Sequence, residues 1–174
     1  MTDGAIRGPY PADWSVAQAL ETYLRENGFT KASYTERFTE VAVWKLKFYL
    51  PNTKAHARAL RLHDLHHAIT GFGTDLAGEG EISAWEVRRG LRGLDLYVTL
   101  VVLLAGTSGF VMAPIRAIRA FRRSGGGRNL FADERDYEDL LAMNLGDLRV
   151  SLGVPRDGIA ERRGLHSAAP AMTG

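Results

Sequence analysis

Two helical stretches joined by a four-residue turn constrain this 174-residue chain more than anything else in it. Helical spacing runs from about Thr53 to Thr70. Gly71-Phe72-Gly73-Thr74 breaks it, and Asp75 is a good N-cap for a second helix ending at Gly90. So short a loop obliges the two helices to lie side by side and antiparallel. A fold built round that hairpin is mainly helical.

The flanking segments are read the same way. Met1 to Asp13 is an irregular arm in which Gly8, Pro9 and Pro11 block helix. Ser15 and Gln18 form a capping box, and Ala17, Leu20, Tyr23 and Leu24 then recur at helical spacing until Gly28. From Tyr34 to Leu50 the period changes to two. Ala42, Trp44, Leu46, Phe48 and Leu50 alternate with Val43, Lys45, Lys47 and Tyr49, which predicts a strand with one buried face. Tyr34 to Thr39 is its candidate hairpin partner. Short helices are expected near Glu134 to Met143 and Leu145 to Leu152, after a Ser124-Gly125-Gly126-Gly127 loop. The expected architecture is a single compact, mainly α domain over residues 1–154, with a small N-terminal β element. Residues 155–174 form a flexible tail.

The hairpin also carries the chemistry. His63, Asp64, His66 and His67 fall within one turn of its first helix. His63 and His67, at i and i+4, share a face, Asp64 flanks it, and His66 lies off it. Two imidazoles one turn apart, with a carboxylate beside them, are the half of a metal site that one helix can supply. His67 is four residues before Gly71 and Glu79 four after Asp75, so the bend brings the two level. Glu79 therefore closes a set of two histidines and two carboxylates. Glu86, two turns on, is placed to orient His63 by accepting its other ring proton. Glu81 points elsewhere. The plainer alternative is a hydrogen-bonded polar cluster that stitches the two helices together.

His63-Asp64-x-x-His67, eleven residues and Glu79, set in RLHDLHHAITGFGTDLAGEGEISAWE, resembles the signature of the coenzyme Q biosynthesis protein 4 family. The likeness covers about forty residues around Arg58 to Gly90, with a weaker echo at Leu145 to Pro155. It implies a mostly helical fold and a divalent metal, described as zinc, bound through His63, Asp64, His67 and Glu79. It also implies a groove for a prenylated ligand, and oxidative decarboxylation of a quinone precursor's head group at a membrane surface. Iron or manganese held by two histidines and one carboxylate would suit oxygen chemistry instead. Two further readings stand beside this one. In the first, the protein is a non-catalytic isoprenoid-binding or scaffold protein with a structural metal in a closed four-ligand shell. The second is a metal-dependent hydrolase, in which Glu86 is the one nearby carboxylate able to serve as a base that does not ligate.

Leu96 to Ile115 contains no charged residue, which meets the length threshold for a membrane span. Gly106-Thr107-Ser108-Gly109 and Pro114 interrupt it, so two buried helices meeting at the GTSG bend are expected. A membrane-facing hairpin or a true span are the alternatives. If its face is exposed, a homodimer follows. Arg116, Arg119, Arg122 and Arg123 come next at helical spacing, placed either to contact an anionic membrane or ligand head group or simply to be solvated.

Composition closes off several classes. There is no cysteine, which excludes disulfides, iron–sulfur clusters and thiolate zinc sites. A formal charge of +2, without aromatic interleaving or a recognition motif, is too balanced for a dedicated nucleic-acid binder. The opening MTDGAIRGPYPADW has no apolar core of a secretory leader. The expected location is cytoplasmic, with peripheral attachment at the inner face of the membrane.

Overall fold

Helix α1 (Val16–Asn27) begins where Ser15 accepts from the Gln18 amide, and ends where Gly28 turns left-handed at φ 71°. The computed structural model describes residues 9–160 apart from 37, 44 and 45. Within them the chain is mainly helical. A 3-10 turn (Lys31–Tyr34) follows α1, and then β1 (Phe38–Val43) pairs antiparallel with β2 (Leu46–Pro51), Val43 opposite Leu46. The partner strand therefore starts later than expected: of Tyr34 to Thr39 only Phe38 and Thr39 join it, opposite Pro51 and Leu50, and it runs on into Ala42 and Val43 of the alternating run itself. Trp44 and Lys45, inside that run, lie outside the described residues.

Thr53 caps α2 (Lys54–Thr70), which Gly71 terminates at φ 82°, and Asp75 caps α3 (Leu76–Arg89) by accepting from the Gly78 amide. The two helix ends therefore match the sequence reading to within a residue. Helix α4 (Leu96–Met112) is capped by Asp95, and α5 (Pro114–Arg123) leaves it at 119°. A 3-10 turn (Leu130–Ala132), α6 (Tyr137–Ala142) and α7 (Leu145–Ser151) complete the order. The core joins Leu20 of α1, Leu65 and Ile69 of α2, Ile82 and Trp85 of α3, Leu130, and Leu145 and Leu148 of α7, all fully buried. Each such aliphatic side chain contributes about 1.5–3 kcal/mol by leaving water.

Arg149 joins the C-terminal end to the hairpin. It is fully buried and donates to the carbonyls of Ile69 (2.7 Å), Ala68 (3.2 Å), Tyr10 (3.0 Å) and Arg156 (3.0 Å). The first two are carbonyls that the last turn of α2 leaves unpaired. The amides of Ile159 and Ala160 both bond the Thr70 carbonyl. The tail is therefore pinned as far as Ala160, five residues beyond where it was expected to run free; residues 161–174 lie outside the described residues.

The apolar stretch departs most from expectation. Gly106-Thr107-Ser108-Gly109 does not bend; α4 runs straight through it, and the break falls at Ala113, before Pro114. The glycines serve close packing instead. A Cβ on Gly80 would lie 2.6 Å from the Gly109 carbonyl carbon, and one on Gly106 would lie 2.7 Å from Ser83 Cβ. Helices α3 and α4 thus touch backbone to backbone. Nor is the stretch buried on all sides: Val98 is fully buried in the core, but the opposite face is open. Leu96 (76%), Val111 (66%) and Ile115 (73%) stand in solvent with Leu100, Leu104, Phe110 and Met112. Among the described residues no single helix is long and apolar enough to cross a membrane, although α4 and α5 pass that test as a bent pair.

Candidate metal centre

The centre is built between α2 and α3. His63 Nε2 lies 3.4 Å from Glu79 Oε2, His67 Nε2 lies 3.5 Å from Glu79 Oε1, and the two Nε2 atoms are 3.2 Å apart. His67 is fully buried, while the His63 and Glu79 side chains are partly open to solvent. The spacing comes from the i,i+4 relation on α2 and from the Gly71–Thr74 bend, which sets Glu79 level with His67.

Hydrogen bonding fixes which ring nitrogens face inward. His63 Nδ1 is 2.9 Å from Glu86 Oε1, and His67 Nδ1 is 3.0 Å from the Phe72 carbonyl oxygen. Both partners only accept, so each Nδ1 carries the proton and donates it. The Nε2 lone pairs of His63 and His67 then converge, with the Glu79 carboxylate, on one point. Three acceptors at such distances need a cation between them, either a shared proton or a metal ion. A tetrahedron with metal–ligand bonds of about 2.0–2.1 Å has edges of about 3.3–3.4 Å, close to all three separations. His63, His67 and Glu79 are therefore a triad that can hold a metal ion.

Charge at the centre follows from burial set against pairing. Burial opposes the charged form of His63, but the Glu86 charge and the bonds to Glu79 and Glu86 outweigh it and hold its pKa well above the usual range. Burial would likewise raise Glu79, yet His67 and His63 keep it far below an ordinary carboxylate. Glu86, fully buried, is opposed by burial and drawn down to about 2 by His63 and His66. Without metal, His63 is the cation of the centre, an imidazolium between the Glu79 and Glu86 carboxylates.

Glu86 does more than orient His63. The same oxygen lies 2.7 Å from His66 Nδ1, and the Leu130 amide donates to His66 Nε2 at 3.0 Å. An accepting Nε2 puts the His66 proton on Nδ1, so Glu86 Oε1 receives two N–H groups, while its Oε2 is buried with no hydrogen-bond partner. Burial lowers the His66 pKa, in keeping with a neutral ring packed against Trp85 and Phe131. Sequence reasoning set His66 aside as off the ligand face. Its signal was there: Leu62, Leu65, His66 and Ile69 mark the buried stripe of α2, and a polar ring on that stripe needs buried partners.

Asp64 is not brought into the triad. One residue after His63, it is turned about 100° round the helix, away from Glu79. Its Oδ1 accepts from Tyr23 (3.2 Å) and its Oδ2 from Tyr34 (2.5 Å). Burial raises the Asp64 carboxyl against the pull of these hydroxyls and the histidines. Both tyrosines are pushed far above their usual range, first by burial and then by the Asp64 charge. Sequence reading placed Tyr23 only in a helical stripe, and nothing in the sequence marked Tyr34.

The four arginines of α5 divide. Arg116 is held by Glu81 (3.0 Å to Oε1) and faces Asp75 at 3.6 Å, so it is a strut between α5 and α3 rather than a head-group contact. Its partner Glu81 is the carboxylate that the sequence reading had pointing elsewhere. Arg119, Arg122 and Arg123 are exposed beside Ile115, Ile118 and Phe121. Between α3, α4 and α5 lies an apolar cavity of about 600 Å³, lined by Ser83, Val87, Leu103, Phe110, Ile118 and Phe121 among others, with Arg122 in its wall. Gly80, next in sequence to Glu79, also lines it.

The chain matches no protein-family model, no curated protein and no solved structure.

Proposed function

We propose that this chain is a metal-dependent protein of the ubiquinone-biosynthesis kind, holding one divalent ion at His63, His67 and Glu79 and acting on the head group of a prenylated, quinone-like molecule. The observation that carries the reading is the convergence of two Nε2 atoms and one carboxylate at 3.2–3.5 Å, with each Nδ1 engaged elsewhere so that Nε2 faces the centre. Three protein ligands leave a position for a substrate oxygen, as catalytic metals require. The ion, once bound, would supply Lewis-acid polarisation of that oxygen. Zinc follows from the motif's resemblance. Two histidines and a carboxylate equally suit iron or manganese, whose oxygen chemistry fits the oxidative decarboxylation that the resemblance implies.

The surroundings support a hydrophobic substrate. The apolar cavity between α3, α4 and α5 is of a size for part of an isoprenoid chain, and its walls continue into the exposed face of α4 and α5. Helix α5 carries Arg119, Arg122 and Arg123 and no acidic residue, which suits peripheral contact of that face with an anionic bilayer at the cytoplasmic side. A second copy of the chain is the other candidate cover for the face.

The two other readings have less support. A structural metal calls for a closed shell of four ligands, and both Asp64 oxygens are already engaged. A hydrolase needs a free base, and Glu86 is buried between two histidines.

Elemental analysis of the purified protein, alongside the His67→Ala/Glu79→Ala variant, tests the proposal. About one equivalent in the wild type, absent from a folded variant, is expected, and the element found separates Lewis-acid from redox chemistry. No metal in the wild type after reconstitution would overturn it.

A further inference from the structure

Asp64 belongs to the motif as a matching ligand position, yet its place in the fold assigns it other work. We infer that Asp64 is a positioning residue, which holds Tyr23 against His67 and draws Tyr34 to the centre, while the ion is held by His63, His67 and Glu79. This rests on the metal reading above and specifies it further.

Three observations carry the inference. Both Asp64 oxygens are occupied, Oδ1 by the Tyr23 hydroxyl and Oδ2 by the Tyr34 hydroxyl, and the residue is buried. The Tyr23 ring is stacked on the His67 ring, with centroids 5.4 Å apart and planes 18° from parallel, so whatever fixes the hydroxyl also fixes one face of a ligand. Finally, the two tyrosines arrive from different elements, Tyr23 from the buried side of α1 and Tyr34 from the 3-10 turn beyond it. One carboxylate thereby ties α1, that turn and α2 together beside the centre. For Asp64 to swing onto the ion, it would have to abandon both hydroxyls, and Tyr23 is almost wholly buried. A buried hydroxyl without a partner is what folded proteins avoid.

The physical consequence separates the two roles. Removing a ligand changes the atoms bound to the ion; removing a support leaves them the same and loosens them, which typically weakens affinity by about 10–100-fold. Titration with Co²⁺ reads both quantities, affinity from the binding curve and inner coordination from the visible d–d bands. The full-length wild type is compared with Glu79→Gln, Asp64→Asn, Tyr23→Phe, Asp64→Asn/Tyr23→Phe and Tyr23→Phe/Tyr34→Phe.

Glu79→Gln is expected to shift the bands or abolish binding. Asp64→Asn and Tyr23→Phe should each bind one Co²⁺ with wild-type band positions and affinity weakened about tenfold, and combining them should weaken it little further. The Tyr23→Phe/Tyr34→Phe protein leaves the carboxylate untouched, so it tests the claim even if Asp64→Asn does not fold; weakened binding with unchanged bands is expected. If Asp64→Asn moves the bands as Glu79→Gln does while the tyrosine variants bind like the wild type, Asp64 is a ligand and the inference fails, with the metal reading intact. A wild type that takes up no Co²⁺ overturns the metal reading and this role with it.

Discussion

Replacing Glu86 by Gln changes one charge at the most buried point of the centre and leaves its shape alone. In the wild type, Oε1 accepts from His63 Nδ1 at 2.9 Å and from His66 Nδ1 at 2.7 Å. A Gln carbonyl oxygen can still accept both, but as a neutral group. Bonds to a charged partner contribute about 1.5–3 kcal/mol and neutral ones about 0.5–1.5, so about 1 kcal/mol is lost at each. If the whole of that loss passes to the ligand His63, metal affinity falls by about 2 kcal/mol, or about thirtyfold. The Gln amide would occupy the place of Oε2, which has no hydrogen-bond partner, and would become a buried orphan donor. That lowers stability by about 1–3 kcal/mol and the melting temperature by several degrees. Competition titration with a chelator, together with thermal unfolding, measures both. There is also an acid arm. Glu86 is held at about 2 against a reference of 4.5, so its contribution to the metal-free protein is complete above about pH 4.5 and is lost as pH falls toward 2. Glu86→Gln should lack that part of the acid transition. A variant that folds normally and binds metal within about threefold of the wild type would refute the carboxylate's role as support for His63.

Other consequences can be measured independently. Because His63 is held well above its usual pKa in the metal-free protein, a metal must displace a proton there. Apparent affinity should rise by up to about tenfold per pH unit until that pKa is passed, with about one proton released in calorimetry across buffers; affinity flat with pH would contradict it. Gly80→Ala places a Cβ 2.6 Å from the Gly109 carbonyl carbon, and should cost about 1–3 kcal/mol in thermal unfolding without changing metal content. Arg149→Met strips a buried guanidinium from four carbonyls and should destabilise by about 3 kcal/mol or more in chemical unfolding. Leu104→Glu/Val111→Glu alters only exposed side chains, so stability should change by less than about 0.5 kcal/mol per site. Sedimentation with anionic vesicles should be lost in that variant, and size-exclusion of the wild type shows whether a second copy covers the face instead.

Much of the centre was legible because its geometry is local. The i,i+4 histidines, the Gly71 stop and the Asp75 cap together dictate that Glu79 meets His67, and Glu86 falls one two-turn step further along the same face. The apolar stretch was misread because hydropathy shows that a segment avoids water without showing what covers it. Glycines at 106 and 109 signal a bend or a close approach equally well, and only the presence of Gly80 and Ser83 on α3 decides for the second.

By itself, then, the sequence determined where helices start and stop, and which histidines share a face, since caps, glycines and helical periodicity act over a few residues. The tertiary structure decided the partners. Asp64 meets tyrosines 41 and 30 residues away, and His66 meets a backbone amide 64 residues away. Those pairings exist because α1, the 3-10 turns and α2 close around one core, and a buried carboxylate or imidazole takes whichever donor or acceptor that closure brings within about 3 Å.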